Sequence, residues 1–425
     1  MTSNLVFAFT GRGANDAIRG LMAEYADALG TLGLSVVEIN VLEAAELQYV
    51  VEQMAAGHVA FGLTWLGVGQ DLAVTESGTG RRRNAWEAFG LPLLKLHGDL
   101  PAYFSDYHRD APRTTVNLYH AAEFLRFWSD WLPHERALTV QIPPLPLSPL
   151  HQNSIDRATR KRGKLVFLKN GNSPEQLRAL WRERLTPGVA RIIQSLAEAI
   201  APVGLRGGPL LIGDFVARFL ECEVQADRKS VADLVLFFTA QMDDFLRRLK
   251  SDMIARAVLD LPVLVQGNLW DHIDFTGRAA QRVDGLDYRE TLSVYREQLG
   301  IIDMSPNVDT WPHDRIQRAA GSFTAFLTNR QGWLTEQFAG FDDLMFEFSE
   351  DSIRTRVSAA IARPDHYLDL GAAFGSQFRE RYTREGFARR LADAAELARL
   401  SGRPDRPTIQ PFFVWPRTAV GWPAP

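Results

Sequence analysis

The sequence predicts two α/β domains in tandem, each built on a mostly parallel sheet, with a closing run of helices. Three observations predict it. The chain has 425 residues, and single hydrophobic cores stop growing at roughly 250–300 residues, so two domains are expected. Short apolar runs alternate with helical patterns along both halves, as in sheets covered by helices on both faces. The alternation breaks once, at a proline-rich stretch, and then restarts.

The first half opens with the apolar run Leu5–Thr10, which stops at Gly11-Arg12-Gly13. Residues 17–29 read as a helix, 34–40 as a strand, 42–55 as a helix and 58–65 as a strand. Further strands are expected at 91–97, 114–118 and 138–142, before Pro143–Pro149. The basic run Arg157–Lys164 reads as a solvated connector. The second half restarts with a strand at 164–168 and the turn Asn170-Gly171-Asn172. Helices are expected at 174–184, 189–200, 214–224 and 231–259. Strands follow at 262–266, 301–304, 324–328 and 344–348, with helices at 288–298, 313–320 and 331–338. Helices fill most of 349–400. The tail from Gly402 has no helical period and reads as an extended strap or a disordered end. The expected organisation is therefore 1–150, a linker at 151–163, a second domain at 164–400 and a tail at 401–425. Two Rossmann-like halves facing a cleft would hold a ligand at the carboxyl ends of their strands.

Composition removes several function classes. Apolar residues make up 46% and charged residues 23%, with a formal net charge of -4. No general affinity for polyanions follows, so nucleic acid is not an expected partner. The lone cysteine, Cys222, excludes an internal disulfide and a multi-cysteine metal site and suits a reducing cytoplasm. The N-terminal apolar run lacks a basic n-region and reads as a strand rather than a signal peptide. No uninterrupted apolar stretch approaches the ~18 residues of a membrane span. Asp243-Asp244 lies mid-helix and reads as a solvated face. No G-x-S-x-G, H-E-x-x-H or Walker motif appears, so hydrolase, zincin and P-loop readings lack support.

The stretch from Leu261 to Tyr382 carries the most specific pattern. It contains LPVLVQGNLW, GLDYRETLSVYREQLGIIDMSPN and WPHDRIQRAAGSFTAFLTNRQGWLTEQF. This stretch resembles the C-terminal domain of CgeB-like bacterial glycosyltransferases, which share the GT-B layout. The match is residue by residue at Gly267, Trp270, Tyr288, Asn307, His313, Arg315, Thr328 and Asn329. KLHGDLPAYF, from Lys95, and LVFLKNGNSP, from Leu165, are similar to further family segments. Two departures stand out. Ala319-Ala320-Gly321 replaces the usual Ala-Cys-Gly turn, and the Glu-x7-Glu pair of larger GT-B families is absent in its usual form.

The resemblance implies sugar transfer from a nucleotide-activated donor to an acceptor hydroxyl, without a metal or a cofactor beyond the nucleotide sugar. The donor would lie on the second domain, near Lys169, Asn170, Gly171, Asn172, Gly267, Asn268, Trp270, Tyr288 and Asn307, with His313, Asp314 and Arg315 at a helix start. Free N–H groups there suit a diphosphate, and Arg315 would add a charge-assisted contact. Plain helix capping plus a surface arginine is the bland reading of the same residues. Trp270 could stack on a base or pack in the core. Gly11, Arg12 and Gly13 would form an acceptor or phosphate loop, or an ordinary turn. His97 and Asp99, at a strand end of the first domain, are the candidate catalytic residues. The bland alternative for His97 is a buried ring satisfied by its neighbours. The acceptor, whether glycan, lipid-linked or protein, is not indicated. A sugar-nucleotide epimerase or phosphorylase of the same fold, or a non-catalytic binding protein, are the alternatives.

Overall fold

The computed structural model describes residues 3–11, 16–76, 78–132, 138–151, 155–206, 211–224, 232–401 and 409–410. The chain forms two compact units, Met1–Leu145 with Thr383–Pro425, and Pro146–Tyr382.

The first unit carries β1 (Leu5–Thr10), α1 (Asp16–Gly30), β2 (Ser35–Asn40), α2 (Ala44–Ala55), β3 (Val59–Trp65), β4 (Ala73–Glu76) and β5 (Arg82–Asn84). It continues with α3 (Ala85–Phe89), β6 (Leu93–His97), α4 (Ser105–Arg109), β7 (Thr115–Tyr119), α5 (Ala122–Trp131) and β8 (Leu138–Gln141). Six strands form a wholly parallel sheet in the order β2-β1-β3-β6-β7-β8. Every residue of β3, β6 and β7 is buried, as expected of strands covered on both faces. Trp86 is fully buried, edge-on to Phe9 at 5.5 Å between ring centroids. The hairpin β4–β5 was not expected from the sequence. It pairs antiparallel, outside the main sheet, with the two-residue strand β15 (Ile409–Gln410) on its other side. The rest of the expected strap, 402–408 and 411–425, lies outside the described residues.

The second unit holds α6 (Arg157–Arg162), β9 (Leu165–Leu168), α7 (Pro174–Arg184), α8 (Pro187–Leu205), α9 (Ile212–Val224), α10 (Ala232–Ala257), β10 (Leu264–Gln266) and β11 (Gln281–Val283). Then come α11 (Thr291–Glu297), β12 (Gly300–Ile302), α12 (Asp314–Gly321), β13 (Ala325–Asn329), α13 (Gly332–Gln337), β14 (Met345–Phe346), α14 (Glu350–Ala362) and α15 (Pro364–Arg381). Its sheet is also wholly parallel, in the order β11-β10-β9-β12-β13-β14. Sequential strands thus run outward from β9 in both directions, which makes β9/β12 a topological switch point. In the first sheet the corresponding point is β1/β3.

Two expectations about boundaries change. The last helix, α16 (Arg384–Ser401), was assigned to the second domain but groups with the first unit. Its Phe387, Leu391, Ala394 and Ala398 recur on one helical face and are buried. Phe387 stacks on Tyr25 of α1 at 5.1 Å, and Arg384 Nη1 pairs with Glu24 Oε2 at 2.9 Å. The basic run at 157–164 is not a solvated connector. It forms α6, capped by the Asp156 carboxylate, and buries Arg160. The Arg160 guanidinium donates to the carbonyls of Tyr295, Arg296, Ser322 and Phe323. Four carbonyl acceptors satisfy a cation that makes no ion pair among the described residues, and burial pulls its pKa down to about 10. The proline stretch is likewise packed, with Leu145 and Leu147 both buried.

Among the described residues one helix, α8, is long and apolar enough to cross a membrane, with mean hydropathy 1.2. Length and composition are weak grounds, because α8 buries Ile193, Leu196, Ala197, Ile200 and Gly204 along one face within its unit. Gly204 lets α10 approach: a Cβ there would sit 2.6 Å from a Leu246 methyl.

Candidate functional site

The switch point of the second sheet brings together two loops. One follows β9 (Lys169–Asn172) and the other follows β12 (Asp303–Asp309). α12 connects β12 to β13, so its N-terminus also faces the carboxyl ends of these strands. Ligands of doubly wound sheets bind in this position.

The β9 loop is locked to the loop after β10. Lys169 N donates to Gln266 O at 3.0 Å, Gly171 N to Asn268 O at 2.8 Å, and Asn268 N to Asn170 Oδ1 at 2.9 Å. Gly267 is required by close approach, since a Cβ on it would sit 2.1 Å from Lys169 O. Trp270 is fully buried and donates from Nε1 to Lys169 O at 2.8 Å. It is a core residue holding this loop, and the base-stacking role is not available to it in this structure. Asn170 and Asn268 remain exposed, and Lys169 and Asn172 are partly exposed.

The β12 loop is equally tied down. Asn329 Oδ1 accepts from Ser305 N at 2.8 Å, and Ser305 Oγ donates to Val308 O at 2.5 Å. Asn307 adopts φ +56°, a conformation that asparagine tolerates better than most side chains. Its amide is fully engaged: Nδ2 donates to Asp243 O and Oδ1, and Oδ1 accepts from Lys250 Nζ at 2.7 Å. Asn307 is therefore a clamp onto α10 rather than a group turned toward a ligand. Asp243 and Lys250 are buried, and Arg247 Nε lies 2.7 Å from Asp243 Oδ2. The expectation of a solvated face at Asp243-Asp244 holds only for Asp244, which pairs with Arg248 at 2.8 Å. Burial lowers the Lys250 pKa to about 8, Arg247 adds to the shift, and Asp243 and Asp309 oppose it.

At the start of α12 the structure assembles His313, Asp314 and Arg315 with Asp303, which the sequence reading passed over. Asp303 is fully buried, and its Oδ1 accepts from Arg315 Nε at 2.6 Å. His313 is the N-cap residue; its Nδ1 lies 2.5 Å from Asp314 Oδ1 and 3.3 Å from Arg315 N. A ring nitrogen that donates to the carboxylate cannot also accept from that N–H. The shorter contact favours a proton on Nδ1, which leaves Arg315 N–H available. Burial alone would raise the Asp314 pKa, but His313, Arg315 and Arg318 hold it well below the usual carboxylate range. Burial works against the charge on Arg315, and Asp303 and Asp314 outweigh it.

Arg318, one turn further along α12, is buried with its guanidinium 3.7 Å above the Tyr288 ring. It also donates to Tyr288 O at 2.9 Å. Tyr288 thus braces α12 from the side. Within the turn Ala319-Ala320-Gly321 the glycine is sterically required, because a Cβ on it would meet Leu147 O at 2.1 Å.

In the first unit, Gly11 is buried after β1, and Arg12 and Gly13 lie outside the described residues. His97 ends β6 and has no solvent exposure. Its ring packs against both His108 at 4.4 Å and Tyr119 at 4.7 Å, and Nε2 pairs with Asn117 Oδ1 at 3.0 Å. Burial, with His108 and Lys95 adding to it, pushes the His97 pKa well below 6.5. In this arrangement His97 is a ring with no solvent-exposed surface, which does not place it as a general base for an external hydroxyl; Asp99 is partly exposed. Lys95 is buried on the same strand and donates from Nζ to Tyr107 O at 2.7 Å.

Sequence comparison returns nothing: no family model and no curated protein matches the chain. Structural comparison does. The fold is similar to that of a DNA-modifying β-glucosyltransferase solved with and without uridine diphosphoglucose. The TM-score is 0.52 at 8% identity, covering 92% of this chain and 99% of that one. The fold is GT-B. Looser similarities are to a glycosyltransferase from Rickettsia africae ESF-5 and a sucrose-phosphate synthase from Thermosynechococcus elongatus. Their TM-scores are 0.44 and 0.46 at 10% and 11% identity; each covers 94% of this chain, and the matches take in 99% and 100% of those chains. The GT-B fold carries two Rossmann-like units, matching the two six-stranded parallel sheets found here.

Among the described residues no group of three or more His, Cys, Asp and Glu could hold a metal ion.

Proposed function

We propose that this protein is a glycosyltransferase that moves a sugar from a nucleotide-activated donor to an acceptor hydroxyl, without a metal. The observation that carries the reading is the start of α12. A helix N-terminus, a charged arginine and a rigid loop converge there at the switch point of the second sheet. Helix N–H groups and Arg315 would stabilise the negative charge that develops on a departing nucleoside diphosphate. Exposed Asn170 and Asn268, on the adjoining loops, would offer hydrogen bonds to the rest of the nucleotide.

The resemblance to CgeB-like bacterial glycosyltransferases belongs to this proposal, as does a cytoplasmic setting. The acceptor would use the first unit, at Gly11 and around Asp99. His97, fully buried as it stands, would act there only after its surroundings rearranged. The buried state of His97 favours one rival, a ligand-binding protein without turnover. The test is thermal unfolding with UDP, GDP, ADP, dTDP and CMP, followed by donor-hydrolysis and transfer assays. A diphosphate at a hundred times its Kd should add about 2.7 kcal/mol of stability. Absence of any shift across the panel would sink the proposal, and binding without turnover would favour the rival.

A further inference from the structure

We propose that Asp303 is a positioning residue for the diphosphate, a buried carboxylate that fixes the Arg315 guanidinium at the first turn of α12. The inference rests on the donor reading above and adds to it a residue that is not among the matched positions. Asp303 is rigidly placed: its N–H donates to Leu327 O at 2.7 Å, extending the β12–β13 ladder beyond Ile302.

The pairing is one-sided. Oδ1 accepts from Arg315 Nε at 2.6 Å, whereas Oδ2, also buried, has no hydrogen-bond partner among the described residues. A pair built for stability alone would close as a two-pronged fork and satisfy both oxygens. Leaving a buried carboxylate oxygen unpaired is costly. Here the fork is turned. Arg315 Nη2 reaches toward Met304 O at 3.5 Å, and Nη1 has no acceptor among the described residues. The arginine is thus anchored by Nε, with Nη1 uncommitted, Nη2 held only by the long contact to Met304 O, and 16% of its side chain exposed. An anion of phosphate geometry at the α12 N-terminus would take those N–H groups. His313 Nδ1 lies 3.7 Å from Asp303 Oδ1 and 2.5 Å from Asp314 Oδ1, so all three side chains meet at the first turn.

The experiment uses the full chain and UDP, GDP, ADP and dTDP as probes, by calorimetric titration. The Asp303→Asn protein should bind the preferred diphosphate at least about tenfold more weakly than wild type. Arg315→Lys should weaken binding, and adding Asp303→Asn to it should cost little more, because the carboxylate acts through the arginine. The Arg315 Nε–H signal in 15N-edited NMR of the wild-type protein gives a measurement that needs no variant. It should be protected from exchange without ligand and should move when the diphosphate is added. A folded Asp303→Asn protein with unchanged affinity, additive losses in the double variant, or an Nε–H signal indifferent to ligand would each overturn the inference. If the wild-type protein binds none of the probes, the donor reading fails and this inference fails with it. Wild-type binding with an indifferent Asp303→Asn variant removes Asp303 alone.

Discussion

Gly171 lies against the Trp270 indole so closely that a Cβ on residue 171 would sit 2.1 Å from Cδ2. Gly171→Ala should therefore displace the tryptophan, break its bond to Lys169 O and loosen the loops after β9 and β10. A loss of about 1–3 kcal/mol is expected from overpacking. Urea unfolding measures it, and near-ultraviolet circular dichroism should report the moved indole. An alanine variant of wild-type stability and spectrum would contradict the packing described.

Arg160 should prove one of the most sensitive positions in the second unit. Arg160→Met removes the donors from four carbonyls, two or more of which would be left buried. The expected cost is at least about 3 kcal/mol, read from the urea midpoint. Arg160→Lys should recover only part of it, because an ammonium cannot reproduce the planar fork.

The first unit should be acid-sensitive. The His97 pKa is depressed well below 6.5 in the folded chain. The unfolded chain therefore takes up a proton as pH falls through 6.5 while the folded chain resists, and stability is lost. Lys95 acts in the alkaline range. Its folded pKa is about 7 against 10.5 unfolded, so stability should rise as pH climbs from 7 to 10.5. Lys250, at about 8, contributes in the same direction in the second unit. Urea midpoints across pH 5 to 10.5 test both signs. Lys95→Met should flatten the alkaline rise, and His97→Phe should blunt the acid loss.

Arg315→Ala should cost stability as well as ligand binding. The sequence alone suggests a surface arginine or a ligand contact, either of which could be removed with little effect on folding. Its pairing with fully buried Asp303 changes that. Removing the guanidinium leaves a buried carboxylate uncompensated, and a loss of roughly 3–5 kcal/mol is expected. A melting temperature equal to wild type would show that the pair does not form.

Much of the α/β plan was readable, because strands buried on both faces are continuous apolar runs. β1 and α7 fall on the expected residues, and the main-sheet strands are all found apart from β11. β11, Gln281–Val283, escaped notice because this three-residue edge strand is largely exposed and polar. The hairpin β4–β5 was missed for a similar reason, as Arg82–Asn84 has no apolar alternation. The site was legible at the start of α12, where proline, a capping histidine and acidic and basic residues come in order. Its supports were not. Asp243, Arg247 and Lys250 recur at i, i+4 and i+7, one face of α10, but only tertiary contact with Asn307 shows that this face is buried. Trp270 and Asn307 look like ligand contacts in a motif, yet both are spent on holding loops. His97 looks like a base at a strand end until its stacking partners are seen.

α16 has a consequence for the order in which the molecule can be built. The first unit needs Arg384–Ser401 to cover α1, β6 and β7, yet these residues are made only after the whole second unit. A nascent chain that has completed β8 still exposes the surface that Phe387 and Leu391 will occupy, and does so while the whole second unit is synthesised. Emergence of α16 from the ribosome, rather than completion of the N-terminal sheet, sets the moment at which the first unit closes. The interval is one in which chaperone capture or aggregation competes with folding.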